Sequence, residues 1–127
     1  MDAWTIFDFV NAGGVNEIRP WMDSLPKKAQ ARIDSIIRYL QIVDVWPGQY
    51  ISDRKDCDKI YELRIASGGV QYRPLGFFGP QRREFTILLG ATEKGGKLEP
   101  RDFCTIATRL RGLVNANRKH VEPHRYG

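Results

Sequence analysis

The chain has 127 residues, 42% hydrophobic and 28% charged, with a net charge of +5. That size suits one domain able to bury a core without metal or disulfide support, and the composition is that of a folded chain. No apolar run approaches the roughly 20 residues that cross a bilayer. Acids (Asp2, Asp8) stand near the N-terminus where a secretory signal carries cations, so a cytoplasmic location is expected.

Trp4–Val10 has the β-branched and aromatic content of a strand, closed by Asn11-Ala12-Gly13-Gly14. Val15–Met22 reads as a short helix, with Pro20 awkward beyond its first turn. A long amphipathic helix follows, with Ser24 as its expected N-cap and Pro26 in its first turn. Ala29, Ile33, Ile36, Ile37 and Leu40 form its apolar stripe; Lys27, Lys28, Arg32, Asp34 and Arg38 fall largely outside it. The polar stretch Gly48–Asp58 is expected to be a surface loop.

Three strands come next: Lys59–Ile65, Val70–Phe78 and Glu84–Ala91. In the first, Tyr61, Leu63 and Ile65 alternate with Ile60, Glu62 and Arg64. Ser67-Gly68-Gly69 predicts a hairpin to the second strand, where Pro74 cannot donate to a ladder and predicts a local irregularity. Phe85–Leu89 is nearly continuous hydrophobe, as for a central strand covered on both faces. A Gly-containing loop holds Lys94 and Lys97, and Pro100 opens a second amphipathic helix with Phe103, Ile106, Ala107, Leu110, Leu113 and Val114 on its apolar side. Residues 1–114 then make one α+β domain, a small antiparallel sheet against N-terminal helices and a C-terminal helix. Residues 115–127 are expected to be a loose basic tail, since residues 101–127 carry six Lys and Arg against two acids. Cys57 and Cys104 have no metal-like spacing and are read as two reduced thiols.

Several groups carry possible chemistry. Arg64 and Arg73, on neighbouring antiparallel strands, offer planar forks of donors that match phosphate and stay charged. The alternative is that Arg64 pairs with Glu62 and that Arg73 is an ordinary surface residue. Lys94 and Lys97 can bring ammonium groups to a phosphate, or simply solvate a loop; the P-loop order is absent. In the tail, Arg118 and Lys119 add charge, while His120, His124 and Tyr126 are suited to proton transfer or base stacking, against the alternative of a disordered end. Charge on a small sheet points to a polyanion, with RNA the leading candidate.

The strings SLPKKAQARI, IYELRI, YRPLGFF and FTILLGATEKGGKLEP occur in that order, the last leading into an amphipathic helix. In this combination the chain resembles the RelE/ParE toxin superfamily of type II toxin–antitoxin systems, most closely its phage-derived HigB-like branch. The resemblance implies an RNase-like α+β fold and metal-free, cofactor-free cleavage of mRNA, usually on the ribosome. It implies a cognate antitoxin, often a helix-turn-helix protein, and no membrane or small-molecule ligand. Position by position, Arg64 matches the arginine of the ELR strand and Arg73 that of the YR strand. Lys94 and Lys97 match basic positions of the loop after the central strand. Glu93 replaces a common lysine, Pro74 breaks the YR strand, and Ile60 and Glu62 replace first-strand lysines of some relatives. The general base stays open among Lys94, His120, His124, Tyr126 or none. Two alternatives remain on the same fold: a ParE-like non-enzymatic inhibitor of DNA gyrase, and an inactive phage remnant.

Overall fold

A computed structural model describes residues 2–127. Ten strands and three helices follow in order: β1 (Thr5–Phe9), α1 (Ile18–Asp23), α2 (Lys27–Ile42), β2 (Ile51–Asp53), β3 (Tyr61–Leu63), β4 (Ile65–Ser67), β5 (Val70–Tyr72), β6 (Leu75–Phe78), β7 (Glu84–Leu89), β8 (Thr92–Lys94), β9 (Lys97–Glu99), α3 (Phe103–Ala116) and β10 (Val121–Pro123). The larger sheet runs β10-β1-β7-β6-β3-β2 and the smaller β4-β5-β8-β9. Every pairing is antiparallel except β1 with β7. The protein is α+β, with ten strands where the sequence reading has four.

Helices cover both faces of the large sheet. On one side Ile33, Ile37 and Leu40 of α2 and Ile18 and Met22 of α1 pack on Ile6, Leu63, Phe85 and Ile87. On the other, Ala107, Leu110 and Val114 of α3 pack on Phe9, Leu75, Phe77 and Leu88. Thus β7 is buried on both faces, as its hydrophobic run predicts. Gly76 sits on β6 at a register shift, and a Cβ there would meet the Thr86 carbonyl and the Phe85 ring. Gly76→Ala is therefore expected to cost about 1–3 kcal/mol, read as a lowered urea midpoint.

Several local expectations change. Pro20 lies in the first turn of α1, where its missing N–H is harmless. Ser24 caps the end of α1, donating its hydroxyl to the Trp21 carbonyl, and α2 begins after Pro26. The expected loop Gly48–Asp58 contains β2. The lysine loop is a hairpin, with Gly95 and Gly96 at φ +57° and +78°, the left-handed pair that a two-residue turn requires.

The tail is not loose. Arg118–His120 form a 3₁₀ turn, β10 pairs with β1, and His124 is buried between two carboxylates. Its Nδ1 donates to Asp8 Oδ1 (2.6 Å) and its Nε2 to Asp34 Oδ1 (2.9 Å). Asp34 thus turns inward, and its other oxygen accepts the Gly127 N–H. The cysteines are not free thiols either: Cys57 and Cys104 form a disulfide, with Cα atoms 5.5 Å apart. It ties the loop after β2 to the first turn of α3, two segments that the sequence separates too far for spacing to pair them.

Candidate functional site

The chain crosses between the two sheets at Arg64, from β3 to β4, and back at Arg73-Pro74, from β5 to β6. The crossings are adjacent, since the Leu63 N–H donates to the Pro74 carbonyl (2.9 Å). Pro74 ends one ladder and the irregularity it imposes lets the chain change sheets. A cleft of about 380 Å³ opens there, lined by Arg32 of α2, Tyr50, Arg64, Gln71 and Arg73.

Arg73 is only 5% exposed, against the expectation of a solvent-facing residue. Its Nε lies 3.3 Å from Glu62, while Nη1 donates to the Tyr72 carbonyl (3.2 Å) and Nη2 to Gln71 Oε1 (2.9 Å). A guanidinium has five N–H donors, so donors remain for a ligand. Burial lowers the Arg73 pKa from its ordinary value; Glu62 opposes that shift and Arg64 adds to it. An anion entering the cleft relieves both penalties.

Glu62 pairs with Arg73, not with Arg64. It also faces Arg54 (3.7 Å), whose guanidinium lies over the Phe103 ring, 4.9 Å from its centroid. Arg32 and Arg64 are exposed and have no ion-pair partner among the described residues. The cleft therefore holds two free guanidinium groups beside a third that Glu62 fixes in place. Such a site suits a phosphodiester, which accepts paired N–H donors.

Lys94 is not in this cleft. Tyr72 pairs with Thr92, so Lys94 shares the Tyr72 face of the small sheet, whereas Gln71 and Arg73 point to the opposite face. Lys94 lines a separate cleft of about 440 Å³ with Trp21, Tyr72 and Glu99. Lys97 is its cross-strand neighbour. Glu93 takes the Arg73 side, where its charge acts on that guanidinium.

The tail candidates are also elsewhere. His120 is buried, its Nδ1 2.7 Å from the Val10 carbonyl and its ring stacked on Phe9. Arg118 makes a paired contact with Glu84 (2.9 and 3.1 Å), and Lys119 is exposed. The Tyr126 hydroxyl accepts from Gln41 Nε2 (2.7 Å), with Arg38 over its ring. These residues secure β10 and its neighbours and do not reach the arginine cleft. Sequence reasoning missed Arg32 and Tyr50. Arg32 lies off the α2 stripe with four other charged residues, and nothing in its spacing marks it.

Fold and cleft together define a small α+β protein with a cationic site at a sheet junction. Residues 20–111, more than two thirds of the chain, match the family model described as phage derived protein Gp49-like (DUF891). The chain belongs to that phage-derived Gp49-like family. No curated protein and no solved structure matches it.

Proposed function

We propose that the protein is the toxin of a type II toxin–antitoxin system, of the RelE/HigB-like kind, acting as a metal-free endoribonuclease on mRNA, on the ribosome. The observation that carries this reading is the Arg32, Arg64 and Arg73 cleft, with Glu62 holding Arg73. Membership in the Gp49-like family supports it. In the proposed reaction the ribose 2′-oxygen gives up its proton and bonds to the adjacent phosphorus, and the P–O5′ bond breaks, leaving a 2′,3′-cyclic phosphate and a 5′-hydroxyl that takes up a proton. Arg64 and Arg73 counter the charge that grows on the phosphorane, where fixed donors act most strongly. Tyr50 is the lining side chain with a transferable proton. A cognate antitoxin, a helix-turn-helix protein, would hold the toxin inactive.

The test is induction of the chain alone while growth, transcript 5′ ends and DNA-damage signalling are followed. Cuts inside coding regions are expected, and Arg64→Ala, an exposed change, should lower the cutting rate about 100-fold. Uncut transcripts with growth arrest would remove the reading. One observation favours a second possibility: the cleft lining has no imidazole or ammonium group. A ParE-like gyrase inhibitor needs no proton transfer, and DNA-damage signalling without cleavage would select it.

A further inference from the structure

A second cleft, of about 370 Å³, lies on the α2 side of the large sheet beside β2. Its wall is aromatic: Trp4, Trp46, Tyr61 and Phe78 stand with neighbouring ring centroids 4.9–5.4 Å apart. Both indole N–H groups are tied back, Trp4 to the Asp44 carbonyl and Trp46 to the Leu40 carbonyl, so neither ring brings an unmet donor to the opening. Around it Val45 is 78% exposed, nearby Ile42 62% and Phe78 40%. A patch of this kind on a folded protein marks a contact surface.

β2 is the outer strand of its sheet. The Arg64 N–H donates to the Tyr50 carbonyl and the Arg54 N–H to the Ile60 carbonyl, so even-numbered residues of this segment bond to β3. By the alternation of an antiparallel ladder, the backbone groups of Ile51 and Asp53 point out to the free edge. Their side chains lie on the cleft side, Ile51 packing on the α2 core and both lining the opening. A strand added to this edge would set two of its residues, two positions apart, over Ile51 and Asp53. Asp53 is exposed and has no ion-pair partner among the described residues, in a chain of net charge +5. The other carboxylate of the opening, Asp44, pairs with Arg83 at 2.7 Å. Asp53 is thus the carboxylate of the opening left to attract a cation.

We propose that β2 and this aromatic cleft dock an extended segment of a partner protein by strand addition, with an apolar residue over Ile51 and, two positions on, a lysine or arginine over Asp53. The surface is distinct from the arginine cleft and does not depend on its activity.

The test uses the full chain and two fluorescein-labelled synthetic peptides. One alternates leucine and lysine at every second position with threonine between; the other has glutamate for lysine. Fluorescence anisotropy should show the lysine peptide binding at least tenfold more tightly than the glutamate peptide. Val45→Asn and Asp53→Lys, both exposed changes, should each weaken that binding tenfold or more without lowering RNA binding at the arginine cleft. Equal binding of the two peptides, or indifference to both variants, would overturn the proposal. So would dimerisation that Val45→Asn abolishes, because the occupant would then be a second copy of this chain.

Discussion

Replacing His124 with alanine is expected to lower stability by about 3–5 kcal/mol, because it leaves Asp8 and Asp34 buried without their shared partner. Both ring nitrogens donate to carboxylates, which requires the imidazolium form. Burial pulls the His124 pKa down, but the hydrogen bonds to Asp34 and Asp8 outweigh it, and the net shift is upward from 6.5. For Asp34 burial works upward, yet His124 and the Gly127 N–H carry the net shift below 3.8. The signs then bound a window. The His124 contribution is complete below 6.5 and is lost as pH rises through the folded pKa. The Asp34 contribution is complete above 3.8 and is lost as pH falls through its folded pKa. For these groups stability should be greatest between those values and decline toward alkaline pH. Urea unfolding at several pH values checks this, and His124→Ala should flatten the alkaline limb. An unchanged alkaline limb in the variant would assign the pH dependence to other groups.

Opening the Cys57–Cys104 bond is expected to cost about 4 kcal/mol, from the loop entropy of a crosslink spanning 47 positions. The same bond holds Arg54 near Phe103, and Arg54 faces the Glu62 that fixes Arg73. Denaturation with and without a phosphine reductant measures the first effect. The Cys57→Ser/Cys104→Ser double variant should match the reduced protein and show no further response to reductant. A parallel loss of affinity for a single-stranded RNA probe is expected in both, because the Glu62 side of the arginine cleft loses its brace.

The long helices were readable because their stripes repeat over many residues: Ile33, Ile37 and Leu40 announce α2 as Ala107, Leu110 and Val114 announce α3. The doubly buried β7 was readable for the same reason. β2 was not, since Ile51-Ser52-Asp53 is short and polar and gains its state from pairing with β3. Arg64 and Arg73 do lie side by side, but at the crossings between the two sheets and not on strands, and Pro74 marks a break. What the sequence withheld was cross-strand register, which alone sends Lys94 to the other face of the small sheet. The histidines were misplaced because their partners are remote in the chain: Asp8 lies 116 positions from His124, and Asp34 lies 90.

The position of β1 has a bearing on how the protein is made. β1 leaves the ribosome well before either of its partners, since its parallel neighbour β7 pairs Thr5 with Glu84 and its other neighbour β10 pairs Phe7 with Pro123. Both edges of this strand therefore wait, unpaired, while the segments between are synthesised. Contacts so distant in sequence slow folding and leave strand edges open to wrong partners. A nascent chain stopped before β7 carries α1, α2 and the β2–β3, β3–β6 and β4–β5 pairs, but lacks α3 and both neighbours of β1.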